Sequence, residues 1–297
     1  MQIAGAYTAL ITPFNADATA VDYDRLKQNV AHQIDQGITG VVPVGTTGES
    51  PTVSHDEHNK IISAVVEAAQ GKVQVIAGTG SNNTAEALAT TQHAKSVGAD
   101  AALMVNPYYN KPTQEGLYRH FMKIADEVGL PIVLYNIPGR TNVTMAPDTV
   151  ARLYKHDMIV AIKEATGSLD MASEIASRCD IPIISGDDSL TLPLMSIGGK
   201  GVISVLSNLL PAKVAALVAA GLKDDLVAAR TLHHELFHLC KGLLTLSTNP
   251  IPIKAAMNMI GVDTGSVRLP LTELTDEESA QLEKLLQTTG VLDGAGV

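Results

Sequence analysis

The sequence predicts a closed parallel (β/α)8 barrel, the TIM barrel of the α/β class, with a C-terminal helical extension. Three observations lead there. Eight short apolar, β-rich runs recur over the first 208 residues, helical periodicity fills the intervals between them, and the alternation stops after Asn208. Continuous apolar runs suit strands buried on both faces, as in a parallel sheet, and eight strict βα repeats close most readily into a barrel. A doubly wound open sheet is the alternative, but it usually carries a glycine-rich dinucleotide turn after an early strand. Gly78-Thr79-Gly80-Ser81-Asn82-Asn83 resembles that turn only in part, and it follows the third run.

The runs are Ile3–Pro13, Gly40–Gly45, Val73–Gly80, Ala101–Pro107, Pro131–Pro138, Ile159–Ala165, Ile181–Asp188 and Gly201–Asn208, most closed by Gly, Pro, Asn or Asp. Between the first two, Asp22–Gln36 carries Leu26, Val30 and Ile34 at four-residue spacing, one face of a helix. Ser54–Gln70 opens on a candidate N-cap, Ser54, with Glu57 at the capping-box offset. Gly37, Gly71, Gly98 and Gly129 stand where helices should stop. The seventh helix, Leu190–Ile197, is the shortest. After Asn208, helical stretches follow at Ala212–Leu222, Leu226–Leu244, Ile253–Ile260 and Asp276–Thr288. The expected division is a catalytic barrel over residues 1–225 and a helical region over 226–297.

Composition bounds the function. The chain has 297 residues, 45% hydrophobic and only 18% charged, which excludes disorder and allows a large core. A formal charge of −10 repels a phosphate backbone, so no nucleic acid is expected as a partner. The most apolar stretch, Gly201–Leu222, is broken by Asn208, Pro211 and Lys213, so no membrane span is expected. Met1-Gln2-Ile3-Ala4-Gly5-Ala6-Tyr7 has no basic region or long apolar core of a signal peptide. Cys179 and Cys240, both in helical segments, read as small hydrophobes and fit a reducing, cytoplasmic setting. Aromatic residues are 3% of the chain, with no Trp, three Phe and seven Tyr, so each tyrosine is worth locating.

In a parallel barrel, chemistry gathers at the C-terminal ends of the strands. Those ends read Gly45-Thr46-Thr47-Gly48-Glu49-Ser50, Asn106-Pro107-Tyr108-Tyr109-Asn110, Tyr135-Asn136-Ile137-Pro138-Gly139-Arg140-Thr141, Lys163-Glu164-Ala165-Thr166-Gly167 and Ser185-Gly186-Asp187-Asp188. Three of the seven tyrosines and the one mid-strand lysine fall in this set. Lys163 follows an apolar strand, and alternation puts it on one face with Ile159 and Ala161, with Val160, Ile162 and Glu164 opposite. Burial disfavours the ammonium form of an amine, and a neutral amine attacks carbonyls to form a Schiff base, an electron sink. The plainer reading is a lysine at the mouth paired with Glu164 or an aspartate. Gly45-Thr46-Thr47-Gly48 offers hydroxyls and peptide N–H groups able to cradle a carboxylate or phosphate, or is an ordinary βα turn. Tyr135 can relay protons to a neighbour on the sixth strand, or simply pack. Arg140 can clamp a carboxylate through two hydrogen bonds, or stand in solvent.

His234-Glu235-Leu236-Phe237-His238 matches a zinc-protease pattern. A catalytic zinc needs a third protein ligand, and this match lies in the helical extension, away from every strand end. It reads as a chance pairing, and no metal is expected.

Four motifs in order, Gly-Thr-Thr-Gly-Glu-Ser at 45–50, Pro-Tyr-Tyr-Asn-Lys-Pro at 107–112, Tyr-Asn-Ile-Pro-Gly-Arg-Thr at 135–141 and Ile-Lys-Glu-Ala-Thr-Gly at 162–167, resemble the dihydrodipicolinate synthase family. Its members are also called 4-hydroxy-tetrahydrodipicolinate synthases, and the likeness runs over essentially the whole chain. The resemblance implies a class I aldolase-type condensation: Lys163 forms an imine with pyruvate, whose enamine attacks L-aspartate 4-semialdehyde, committing carbon to diaminopimelate and lysine. It implies Tyr135 as general acid/base, with Thr46 and Tyr109 completing a proton relay. The tyrosine matching Tyr109 reaches into a neighbouring subunit in the family, which implies a homodimer or a homotetramer built as a dimer of dimers. Thr46 and Thr47 are implied to hold the pyruvate carboxylate, Arg140 that of the semialdehyde. Gly186 and Ile203 match further pocket positions, the Ile203 carbonyl lying near the lysine nitrogen in family members. No cofactor beyond the imine is implied.

A second site is implied as well. Ser50, His55, His58, Asn82, Glu86 and Tyr108 match residues that bind feedback L-lysine at the dimer interface of bacterial relatives. The alternatives are a polar interface helix at that place and, for the reaction, lyases of sialic acid or 2-keto-3-deoxy sugar acids. Those enzymes share the lysine and tyrosine but generally lack an arginine at the place of Arg140. A catalytically silent ligand-binding barrel is the alternative outside enzymology, and it has no reason to keep all five of Lys163, Tyr135, Tyr109, Thr46 and Arg140.

Overall fold

The computed structural model describes residues 1–292. Eight strands, β1 (Gly5–Ala9), β2 (Gly40–Val42), β3 (Gln74–Gly78), β4 (Ala101–Val105), β5 (Ile132–Asn136), β6 (Ile159–Glu164), β7 (Ile183–Ser185) and β8 (Gly201–Ser204), form a closed barrel in chain order. All pairs are parallel, and β1 closes on β8 with Tyr7 opposite Ile203. The strands are shorter than the apolar runs that predict them, because the last residues of each run belong to the loops that carry the chemistry. The run Ile181–Asp188 thus contains only Ile183–Ser185 as strand.

The pleat sorts side chains into two cores. Tyr7, Val42, Ile76, Leu103, Val133, Ala161, Ile184 and Ile203 fill the barrel, while Val41, Val75, Ala102, Leu134, Ile162 and Val202 face the helices. One expectation fails. Ile132 pairs with Ile159 but Val133 pairs with Ala161, so Val160 is an extra residue in β6. A bulge of this kind flips the phase of alternation on one side of it. Ile159 therefore joins the outer core and Val160 packs on the inner one, the reverse of strict alternation. Ala161 and Lys163 still point inward, because the bulge lies before them.

The helices are α1 (Tyr23–Asp35), α2 (His55–Ala69), α3 (Thr84–Val97), α4 (Gln114–Val128), α5 (Pro138–Thr141), α6 (Pro147–Leu153), α7 (Leu169–Ala176), α8 (Thr191–Ser196), α9 (Pro211–Leu222), α10 (Leu226–Thr245), α11 (Ile251–Met259) and α12 (Asp276–Thr288). The first four helices stop at the expected glycines: Gly98 and Gly129 cap α3 and α4 in the left-handed region, and Gly37 and Gly71, also at positive φ, directly follow the caps of α1 and α2. The weak seventh interval is a single 3-10 turn followed by the six-residue α8. Helix α9 packs on β1 and β8, and α10 lies along α9. α11 and α12 pack on each other and on α10. Of the helical region expected over 226–297, residues 293–297 lie outside the described residues. Among the described residues, no helix is long and apolar enough to cross a membrane.

Helix α2 starts with the expected capping box: Ser54 Oγ accepts from Glu57 N at 3.2 Å, and Ser54 N donates to Glu57 Oε2 at 2.9 Å. The Glu57 carboxylate also takes two hydrogen bonds from the Arg268 guanidinium, each 2.8 Å. Arg268 in the first place, with Ser54, holds the Glu57 carboxyl down at about 2. A depressed carboxyl stabilises the fold above its unfolded value and stops doing so as pH falls through its folded one. The unfolding free energy of the wild type should exceed that of Glu57→Gln at neutral pH, and the gap should close as pH falls from 4.5 to about 2. Urea denaturation across that range measures it; a gap independent of pH would rule the pairing out as its source.

Candidate active site

The parallel register of β5 and β6 sets Tyr135 opposite Lys163 and Asn136 opposite Glu164. Inside the barrel, Lys163 is 6% and Tyr135 5% exposed, and the Lys163 Nζ lies 4.2 Å from the Tyr135 ring centroid. On the outer face, Glu164 accepts from Asn136 Nδ2 at 3.2 Å and from the Thr166 N–H at 2.7 Å. Burial raises the Glu164 carboxyl above its ordinary range, and these bonds draw it back. The carboxylate next to Lys163 in sequence is thus turned away from it and engaged elsewhere, so the plain reading of a Lys163–Glu164 pair fails.

Lys163 and Tyr135 line a cavity of about 200 Å³ at the C-terminal mouth of the barrel, with Thr46, Thr47, Arg140, Gly186, Asp187, Ile203 and Asn249 also on its wall. Gly186 leaves room for the lysine: a β-carbon there would lie 2.5 Å from the Ala165 Cβ and 3.1 Å from the Lys163 Cε. Burial pushes the Asp187 carboxyl up, and the charge of Lys163 pulls it back. Among the described residues, the peptide N–H groups of Thr46 and Thr47 reach no backbone acceptor, so the turn presents donors suited to an anion. Arg140, on α5, donates through Nη2 to the Asn249 carbonyl at 3.3 Å. The Asn249 Nδ2 donates to Thr47 Oγ1 at 3.0 Å, while its buried Oδ1 has no partner.

Asn249 is the residue that sequence reasoning misses. It sits just before α11, 202 positions from the hydroxyl it binds, and no strand-end motif marks it. Its neighbours in sequence, Asn-Pro-Ile-Pro, read only as a loop before a helix.

A second cavity, of about 240 Å³, shares Thr46, Tyr135 and Arg140 with the first and runs past Ser50, Gly80 and Tyr108. Asn82 Nδ2 donates to the Tyr108 carbonyl at 3.1 Å, and Ser81 Oγ donates to Glu86 Oε2 at 2.8 Å. His55 and His58 begin α2 as expected. Burial, reinforced by His55 and His93, lowers His58 to about 4, and its Nδ1 is buried without a partner. Ser50 and Tyr108 therefore share a cavity and Asn82 joins them through a hydrogen bond, while His55, His58 and Glu86 do not line it.

Tyr109 stands apart. It is 91% exposed, lies in the left-handed region at φ +71°, and lines neither cavity. Within one chain, Thr46 and Tyr135 face a common space and Tyr109 does not. The His234–His238 helix face lies on α10, where Glu235 is held by Lys213 at 2.6 Å.

The model of the dihydrodipicolinate synthetase family matches residues 2–289. The chain belongs to that family. It is accordingly an enzyme, a lyase. A 4-hydroxy-tetrahydrodipicolinate synthase of Methanococcus aeolicus is 49% identical over 289 residues, covering 97% of this chain and 99% of the relative. The dihydrodipicolinate synthase structure from Aquifex aeolicus superposes with a TM-score of 0.94 at 47% identity, covering 97% of this chain and 99% of the other. A DHDPS from Cyanidioschyzon merolae, solved with lysine bound, gives 0.93 at 39% identity, with 97% and 99% covered. The expected eight-stranded barrel and the family resemblance both hold.

Proposed function

We propose that this enzyme condenses pyruvate with L-aspartate 4-semialdehyde, the first committed step toward diaminopimelate and lysine. The observation that carries this reading is the buried Lys163 amine set against Tyr135 in a cavity whose wall holds Thr46, Thr47 and Arg140. The neutral amine adds to the keto carbon of pyruvate, water leaves, and the imine forms. Loss of a methyl proton gives the enamine, which attacks the aldehyde carbon of the semialdehyde. The semialdehyde's amine then adds to the imine carbon, closing the ring and releasing Lys163. Tyr135 moves protons in these steps, through Thr46 and a tyrosine at the place of Tyr109. Thr46 and Thr47 hold the pyruvate carboxylate, Arg140 that of the second substrate. The imine supplies the electron sink, so the scheme requires no further cofactor. Gly186 keeps the lysine's path open, and Ile203 lines the same wall.

Borohydride with pyruvate should inactivate the enzyme irreversibly and leave the adduct mass on the Lys163 peptide, while Lys163→Ala takes up none. The absence of an adduct would leave only a binding protein. Sugar-acid lyases also trap pyruvate, so coupled turnover with aspartate semialdehyde and a reductase decides the second substrate. Arg140→Ala should raise the KM for the semialdehyde about tenfold or more, the value of a lost charged hydrogen bond, with little effect on pyruvate trapping.

The exposure of Tyr109 supports a dimer, single or paired into a tetramer, in which this side chain enters the partner's cavity. Mixing and reassembling Tyr109→Phe with Lys163→Ala should then restore activity above either parent, since one site of each mixed dimer regains both residues. Activity that stays at parental levels in proven mixed dimers counts against it. Ser50, His55, His58, Asn82, Glu86 and Tyr108 form the proposed L-lysine site, supported by the cavity at Ser50 and Tyr108 and by the lysine-bound relative. Millimolar L-lysine should slow initial rates; unchanged rates remove this regulatory reading.

A further inference from the structure

The turn that carries Thr46 and Thr47 begins and ends on strained backbone. Val44 and Glu49 both occupy the left-handed region, at φ +47° and +55°, which a β-carbon disfavours. Such residues persist only where their surroundings over-determine them. At the Glu49 end, that surrounding structure comes from the C-terminal extension, from α11 and the segment after it.

Glu49 is fully buried and Lys254 is 2% exposed, and their side chains pair at 2.9 Å. Every other group around them is also fixed. The second oxygen of Glu49 accepts from the Arg268 N–H at 3.0 Å. Lys254 Nζ donates to the carbonyls of Thr12, at 3.1 Å, and Ser266, at 2.6 Å. Thr12 in turn donates its hydroxyl to the Gly48 carbonyl at 2.7 Å. The Glu49 N–H closes the turn onto the Thr46 carbonyl at 3.1 Å. Five residues before Lys254, Asn249 binds the Thr47 hydroxyl. The short helix α11 and the residue that leads into it therefore grip the turn at Glu49 and at Thr47.

We propose that the buried Glu49–Lys254 pair is a positioning device for keto-acid binding, through which the C-terminal extension holds the Thr46–Thr47 cradle in its binding shape. The pair touches no reacting atom. It acts by keeping two peptide N–H donors aimed before the substrate arrives, so that binding does not have to order them. The proposal rests on the reading that Thr46 and Thr47 hold the pyruvate carboxylate.

The double variant Glu49→Gln/Lys254→Met removes the pair without leaving a lone buried charge. The probe is pyruvate, with borohydride trapping followed as a function of its concentration. In the folded double variant the half-saturating pyruvate concentration should rise about tenfold or more, ~1.4 kcal/mol. The trapping rate at saturation and the KM for the semialdehyde should stay within about twofold, well under ~1 kcal/mol. Lys254→Arg, which keeps the charge but changes its reach, should fall between the two. A purely structural pair would lower the melting temperature and leave half-saturation at the wild-type value, and that result overturns the proposal. Should the double variant fail to fold, wild-type half-saturation in Lys254→Arg overturns it equally. Failure of the wild type itself to trap pyruvate overturns the function reading instead, so the two failures are distinct.

Discussion

The site depends first on the register between β5 and β6. Parallel pairing with a two-residue pleat forces neighbours in sequence to opposite faces. Because Tyr135 faces Lys163, Asn136 must face Glu164 on the other side of the sheet. The outer pair then does what the inner pair does not: it ties the strands together through a side-chain hydrogen bond. Asn136 Oδ1 also accepts from Asn106 Nδ2, at 3.2 Å, and from the Met145 N–H, at 3.0 Å. This extends the polar belt to the end of β4 and to the segment that follows Arg140. Three strand ends are thus locked from outside, which leaves the inner faces free to carry an amine and a phenol. A one-residue slip would exchange the two sets and bury Glu164 in the cavity.

The barrel and most of its site were legible because the evidence for them is local. Each strand end is a contiguous motif, and the pleat carries Lys163 and Tyr135 inward from their own neighbours alone. Periodicity missed the bulge at Val160, since an extra residue in one strand leaves no mark when Ile159, Val160 and Ala161 are all apolar. It also could not find Asn249 or Lys254. Lys254 is a lone cation in the helical stretch Ile253–Ile260, yet it is among the largest fully buried side chains, and its carboxylate partner is 205 residues away. Contacts of that separation are set by how the extension folds back over the mouth, which no local pattern encodes.

Charge is handled in the same divided manner. The chain is acidic overall, at −10, while of the proposed substrates pyruvate is an anion and the semialdehyde a zwitterion, so long-range attraction does not bring them in. Local donors must do the work: the Thr46–Thr47 turn, Arg140 and the lysine. Asp187 on the same wall opposes this; burial pushes its carboxyl up, and the charges of Lys163 and Lys241 draw it back. Asp188 beside it is turned inward instead, where the N–H groups of Val205 and Leu206 hold it at 3.0 and 3.1 Å. Of two adjacent acids at one strand end, only Asp187 therefore stands on the cavity wall.

The aromatic residues show what a single chain leaves incomplete. With ten Phe and Tyr side chains and no Trp, the fold builds its inner core from Val, Ile, Leu and Ala around Tyr7 and Tyr135. A protein so sparing of aromatics nevertheless places Tyr108 and Tyr109 together in solvent, at 40% and 91% exposure, on a left-handed turn. Exposing a tyrosine forfeits the burial energy that makes aromatics useful in cores, and the turn costs backbone strain besides. Neither cost returns anything to the isolated chain, since Tyr109 touches neither cavity. On the proposed reading both are recovered in the dimer, where the same side chain is buried and supplies the third hydroxyl of the relay with Thr46 and Tyr135. On that reading catalysis and assembly are coupled, because each site needs a residue of the other chain.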